Sequence, residues 1–355
     1  MKLFTPAAVV STLAVLLQGA FATADGLERR ATVCNGHAEL CEKSFGAVTF
    51  VGAHDSYAIG TGLAANQDQD ITRQLDDGIR MLQMQAHNES GVIKLCHTTC
   101  VLLDGGTLED YLTTVKTWLD ANPNEVLSLL ICQHRQRARL VLLAPSSPRS
   151  GWTRCPMPLR RRPLGYTEWP TLGALIDSGK RLLTFIDNQA DSAAVPYLID
   201  EFTNIWETEF NVIDATRFDC SVNRTRGDTA TQMFMINHFL DKIVLGAPVP
   251  FVERLNVTNA ASGDGSLGAH VEFYEYGGGS VFQVAADING VTYSPSQAIA
   301  TPKGSSASST STGSSSSSTG NSGNGASVNM FPGGTPLTLS SLVAGLILAG
   351  GALVL

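Results

Sequence analysis

The chain has 355 residues, a formal net charge of −8 and 43% hydrophobic residues. That apolar share is enough for a sizeable core, and the acidic balance excludes nucleic acid as a partner, because phosphate backbones attract a basic face. Length alone fits either two average domains or one α/β barrel.

In chain order, Lys2, an apolar run over residues 7–17 and then Ala22-Thr23-Ala24 have the charged, apolar and small-residue sections of a secretory signal peptide, expected over residues 1–24. The apolar run is short of the ~20 residues that a bilayer core demands. Over residues 34–302, short apolar runs alternate with amphipathic segments, the pattern of parallel strands connected by helices. Strands are predicted at 47–52, 79–85, 92–96, 126–132, 181–186 and 233–237. Helices are predicted at 70–76, at 107–121 with Thr107 and Asp110 as a capping pair, at 171–178 and at 195–202.

Residues 133–162 break this pattern. They gather Arg135, Arg137, Arg139, Arg149, Arg154, Arg160, Arg161 and Arg162 among prolines, and patterned sequence resumes abruptly at Tyr166-Thr167-Glu168-Trp169-Pro170. The stretch reads as translated intron or a frameshifted exon, with a basic loop for anionic lipid or glycan as the alternative. Residues 303–326 are almost all Ser, Thr and Gly, which is a stalk composition. Residues 327–355 pair a spacer with an apolar tail, so a glycosylphosphatidylinositol (GPI) anchor is expected, with Asn324 as attachment site and the outer leaflet of the membrane as partner.

Export is also consistent with the acceptor triplets at Asn88, Asn223 and Asn256, and with seven cysteines, of which Cys34 with Cys41 and Cys96 with Cys100 are the expected local disulfides. Candidate chemistry begins at Phe50-Val51-Gly52-Ala53-His54-Asp55-Ser56, an apolar strand ending in ionisable residues, and a second histidine, His97, closes the apolar run at 92–96. Catalytic groups in barrels sit at the carboxyl ends of strands, and two imidazoles there can serve as base and acid. Each histidine also has the plain reading of a satisfied structural residue.

The run from Val51 to Pro123 resembles the X region of phosphatidylinositol-specific phospholipase C, especially its secreted plant and fungal branch. The matching pieces are Ala53-His54-Asp55-Ser56, Asn66-Gln67, Ile71-Thr72-Arg73-Gln74-Leu75, Gly78-Ile79-Arg80-Met81-Leu82, Leu95-Cys96-His97 and Leu119-Asp120-Ala121-Asn122-Pro123, in that order. The likeness is looser over residues 166–240 and stops beyond Pro250.

The resemblance implies an α/β fold, a distorted TIM-type (β/α) barrel, with His54 as general base, His97 as general acid and Asp55 orienting the pair. On the strand at 79–85, alternation puts Gln83 and Gln85 on one face, where calcium-dependent relatives carry carboxylates and metal-free bacterial relatives an arginine. Neutral amides are poor ligands for a hard cation, so neither metal nor cofactor is expected. Gln83, Gln85, Asp187 and Asn237 are the expected substrate contacts, while Arg80 falls on the opposite face as a structural residue. The late-strand acid that partners the first histidine in relatives has no clear counterpart; Asn237, His238 and Asp187 are the candidates.

The resulting expectation is a monomeric, surface-anchored phosphoric diester hydrolase acting on a phosphodiester or phospholipid. The alternative is an inactive barrel serving as a surface or wall binding protein. A glycoside hydrolase would need paired carboxylates at strand ends, and the sequence shows none well placed.

Overall fold

The computed structural model describes residues 30–133, 163–260 and 270–303. The expected signal segment, the stalk, Asn324, the apolar tail and the arginine-rich stretch beyond Gln133 lie outside the described residues.

The first predicted strand is much shorter than expected. Phe45–Ala47 forms a 3-10 turn and only Gly52–Ala53 forms strand β1. The Asn289 side chain accounts for part of the shortfall, since it accepts from Thr49 N at 2.9 Å and donates to Thr49 O at 2.8 Å, leaving that residue nothing to offer a neighbouring strand. Helix α1 (Ile71–Asp77) starts where Asp70 accepts from Arg73 N at 2.9 Å, and it stops at Gly78, whose φ of 121° a side chain would resist.

Strands β2 (Met81–Glu89) and β3 (Val92–Cys96) form a hairpin through Ser90 and Gly91, both at positive φ as a tight two-residue turn requires. Strand β4 (Asp104–Thr107) leads into α2 (Leu108–Ala121). Thr107 Oγ1 accepts from Asp110 N at 3.1 Å and donates to the Asp110 carboxylate at 2.7 Å, which is the expected pair.

Strand β5 (Leu127–Gln133), helix α3 (Leu172–Asp177) and strand β6 (Leu182–Ile186) fall where the apolar pattern placed them. The helix expected at 195–202 is not there. Leu198–Asp200 is strand β7, pairing with β6 from Thr184 to Ile186, and only Glu201–Asn204 is helical, as α4. The open edge of β6 supplies the backbone partners that a strand needs.

The remaining elements are β8 (Ile205–Glu207), β9 (Met233–Met235), the hairpin β10 (Asp241–Val244) and β11 (Ala247–Pro250), α5 (Leu255–Thr258), β12 (His270–Val271) and α6 (Ser280–Asn289). The main sheet runs β12-β1-β2-β5-β6-β7 with every neighbour parallel, and β3 and β4 extend it antiparallel at the side of β2. Strands β8 and β9 pair in parallel, and a bridge from Asn237 to His270 carries β9 round to β12. Among the described residues no ladder joins β7 to β8, so the ring is a distorted barrel rather than a closed one.

Two apolar clusters explain the sidedness of the strands. Leu82, Met84, Leu129 and Ile131 pack outward against Leu75, Val115, Trp118 and Phe282 of the helices. Leu130, Leu183, Phe185, Ile199 and Met233 belong to a second cluster, together with Leu40, Phe45 and Trp169. The Cys34–Cys41 disulfide secures that second cluster's N-terminal part.

Candidate active site

Strand β1 ends at Ala53, and His54 N still donates to Val271 O at 2.9 Å, so the histidine leaves the barrel alongside β12. Gln67 holds it from the other side, donating Nε2 to His54 O at 2.8 Å. The chain then turns sharply: Asp55 has φ of 39°, a left-handed conformation uncommon for a side-chain-bearing residue. What stabilises the turn is β2. Gln83 Oε1 accepts from Asp55 N at 2.6 Å, and Ser56 N donates to Gln83 O at 2.9 Å.

This turn directs the Asp55 carboxylate between the two histidines. Asp55 Oδ2 lies 3.3 Å from His97 Nε2 and 3.8 Å from His54 Nε2, and Gln85 Nε2 donates to the same oxygen at 2.8 Å. Gln85 is itself oriented by Thr98 N, which donates to its Oε1 at 3.2 Å. His97 is carried on a small loop after β3, closed by the Cys96–Cys100 disulfide.

Behind His54 stands an acid the sequence reading did not find. Glu272, just past β12, has Oε1 2.8 Å from His54 Nδ1, and Asn66 Nδ2 donates to that same oxygen. The rings of Phe239 and His54 stack at 4.1 Å, and His270 meets His54 edge-on at 5.4 Å. The array is therefore Glu272–His54 and His97–Asp55, two histidine–carboxylate pairs joined at Asp55.

Burial sets the proton affinities. It pushes the Asp55 carboxyl up to about 6, against the pull of His54, and the Glu272 carboxyl up to about 8, against the pull of Asn66. His97 is driven down to about 4 by burial and by the neighbouring His54. Of the His97–Asp55 pair it is therefore Asp55 that keeps a proton to the higher pH, up to about 6, within reach of the imidazole.

Comparison with known proteins gives this geometry a family. The PI-PLC X family model matches residues 40–284. A PI-PLC X domain-containing protein of Arthroderma benhamiae is 41% identical over 265 residues, covering 73% of this chain and 84% of that protein. The chain belongs to the PI-PLC X domain family. An uncharacterized secreted protein of the same fungus is 42% identical over 288 residues, 74% of this chain, and the chain spans 65% of that relative's length. Among solved structures, a mutant of the phosphatidylinositol-specific phospholipase C of Staphylococcus aureus superposes with a TM-score of 0.50 at 14% identity, covering 76% of this chain and all of that one. Fold and family therefore agree on a PI-PLC-like barrel.

Within that PI-PLC X frame the acid sought at Asn237, His238 or Asp187 is Glu272, from the part of the chain beyond Pro250 where no likeness was visible. Asn237 is engaged elsewhere: its Nδ2 donates to Glu207 Oε2 at 2.7 Å and its Oδ1 pairs with His270 Nδ1 at 2.9 Å. His238 is buried with Nε2 on Thr258 O at 2.8 Å. Asp187, half-buried after β6, has Oδ1 accepting from Asn188 at 2.8 Å. Arg80 points away from the site as expected, its Nε on Glu125 at 2.8 Å and its guanidinium over Trp118.

The donor set fits a hard cation poorly. Gln83 Oε1 and Gln85 Oε1 both already accept backbone N–H groups, which leaves no pair of free carbonyl oxygens facing Asp55. None of the described ion pairs brings a lysine or arginine to His54, Asp55, His97 or Glu272 either. One buried carboxylate pair does exist: Glu201 is raised first by burial and then by the charge of, and a hydrogen bond with, Glu207. Such contact is closer than the roughly 5 Å that a glycoside hydrolase keeps between its carboxyl groups, and Glu207 is tied to Arg224 at 2.8 Å.

Both expected disulfides form, while Cys132 and Cys220 are free thiols; Cys155 lies outside the described residues. Asn223 and Asn256 are exposed, and Asn88 is half-buried with Oδ1 accepting from Gly91 N at 2.8 Å.

Proposed function

We propose that this protein is an extracellular phosphoric diester hydrolase of the phospholipase C-like class, acting on a lipid phosphodiester through His54 and His97. The observation that carries the reading is the placement of both imidazoles on one carboxylate, Asp55, with Glu272 behind the first. His54 Nδ1 is engaged by Glu272, so Nε2 is the atom that takes the proton of the attacking hydroxyl. As the oxygen–phosphorus bond forms and the leaving oxygen departs, the proton held between Asp55 and His97 passes to that oxygen. Glu272 stabilises the imidazolium that forms on His54, and Asn66 and Phe239 hold the ring in place. The secreted fungal relative supports an extracellular setting, and the GPI anchor belongs to the same proposal.

Gln83 and Gln85 act in this scheme by fixing Asp55. They support the reading of a site that works without a bound cation, and equally the second reading, a binding protein that keeps the array without turnover. The deciding experiment is cleavage of inositol phospholipids, lysophospholipids and anchored glycolipids by the secreted protein and by His97→Ala. Turnover that falls by about a thousandfold or more in the variant, with its thermal unfolding unchanged, supports the hydrolase. Equal activity in both proteins would sink the mechanism, and no turnover in either leaves the binding protein.

A further inference from the structure

Beside the two histidine–carboxylate pairs lies a third imidazole that the reaction does not use. His270, on β12, is 2% exposed. Its ring stands at 86° to both members of the His54–Phe239 stack, with centroids 5.4 Å from His54 and 5.9 Å from Phe239. It is an end stop against two nearly parallel rings that lie 4.1 Å apart.

A chain of buried side chains fixes His270 in turn. Glu207 Oε2 accepts from Asn237 Nδ2 at 2.7 Å, and Asn237 Oδ1 lies 2.9 Å from His270 Nδ1. The Glu207 carboxylate, ion-paired with Arg224 at 2.8 Å, can only accept, so the amide NH2 must face it. Thr208 O accepts from the same Nδ2 at 3.1 Å, which confirms that the nitrogen is on this side. The amide oxygen is thereby turned to His270, and Nδ1 must carry the proton of that contact. Burial, then the nearness of His54, drives His270 well below the usual imidazole range, against the pull of a backbone hydrogen bond with Ala53. The ring is therefore neutral, with its single proton on Nδ1.

We propose that Glu207, Asn237 and His270 form a positioning relay for the base. The carboxylate sets the amide, the amide sets the proton and the plane of His270, and His270 keeps His54 flat on Phe239 with Nε2 free for the attacking hydroxyl. A charged or turned His270 would set a second cation, or a gap, against the imidazolium that forms on His54. The effect on turnover rests on the hydrolase reading, whereas the geometry that the relay imposes on His54 does not. The plain alternative is that the three residues only join the short strands β8, β9 and β12.

The test uses the full chain as wild type, Asn237→Leu and Thr208→Val. Thr208 Oγ1 accepts from Asn237 N at 2.9 Å, so Thr208→Val removes another joint between the same segments and leaves the relay intact. Ring-nitrogen NMR should find His270 protonated on Nδ1 alone in the wild type and in Thr208→Val. In both proteins the face of Phe239 should shift the His54 ring protons upfield. In Asn237→Leu those protons should return toward their ordinary positions, and kcat should fall by about tenfold or more with KM little changed, as misplacement of a reacting group requires.

A proton on His270 Nε2 in the wild type overturns the relay, and this measurement decides even where Asn237→Leu fails to fold. His54 signals unmoved in a folded Asn237→Leu overturn it as well, and signals lost equally in Thr208→Val establish the plain alternative. A wild type without turnover that still shows both NMR signatures removes the hydrolase reading and retains the relay.

Discussion

From β1 to β6 the barrel is held by backbone ladders, with six register pairs between β2 and β5 alone, whereas β7, β8, β9 and β12 are strands of two or three residues. In that second half side chains do much of the joining: Asn237 ties Glu207 to His270, and Arg224 closes on Glu207. The two halves meet at β1 and β12 through only two register pairs, Gly52 with His270 and Ala53 with Val271. His54 comes from one side of that seam and Glu272 from the other. The proposed base therefore depends on a junction of two register pairs, as few as β1 shares with β2, while Asp55 and His97 are both held against β2 and its side chains.

Separating the two pairs by mutation tests this contrast. The largest effect is expected from Glu272→Gln, which removes the carboxyl partner of His54 across the seam. kcat should fall by about a hundredfold or more with KM little changed, because the interaction strengthens as the imidazolium forms. An unchanged kcat would remove Glu272 from the mechanism. Next comes Gly52→Val. A Cβ at Gly52 would meet Met81 Cε at 2.6 Å and His270 Cδ2 at 3.1 Å, so the variant must displace the end of Met81 and press on the His270 ring at the seam. Overpacking of this kind typically costs about 1–3 kcal/mol, to be read as a lower thermal midpoint together with lost activity.

A subtler effect is expected within the well-laddered half. With Asp55 at about 6, turnover should decline as pH rises through that value, because the proton for the leaving oxygen is then lost. The Gln85 hydrogen bond lowers Asp55, so Gln85→Ala should move this limb to higher pH. A limb that stays put would show that Asp55 does not hold the proton.

The smallest expected change is in stability. Asp55 is raised from 3.8 to about 6, so its contribution is greatest when protonated and is lost as pH rises through that window. His97, lowered from 6.5 to about 4, acts oppositely over nearly the same range, and the two offset one another. Glu272, raised from 4.5 to about 8, has the interval above 6.5 largely to itself among these three. The thermal midpoint should therefore drop between pH 6.5 and 8.5 in the wild type and drop less in Glu272→Gln.

How far the sequence reached divides along the same seam. Gln83, Gln85 and His97 were legible because apolar strands with regular alternation deliver them, and His54 and Asp55 because the run Ala53-His54-Asp55-Ser56 carries the resemblance although β1 is only two residues long. Glu272 was not. Its strand, His270–Val271, is too short to show alternation and is held by pairing to β1, a contact 218 residues away in the chain from His54 to Glu272. The misread segment at 195–202 has the same cause, since β7 exists because β6 offers it an edge. What local pattern did reveal were capped helices and both short-range disulfides. What it missed were elements whose backbone partners lie far away in sequence.

The Cys96–Cys100 bond closes a ring only four residues apart, with His97 inside it. By the loop-closure relation so small a ring restricts the unfolded chain by only about 2 kcal/mol, a modest share of a typical domain's stability. Its weight is therefore local. Thiol reagents that left the barrel standing would still loosen the one loop that sets the reach of an imidazole, so the working state of this protein is tied to the oxidising surroundings in which that bond persists.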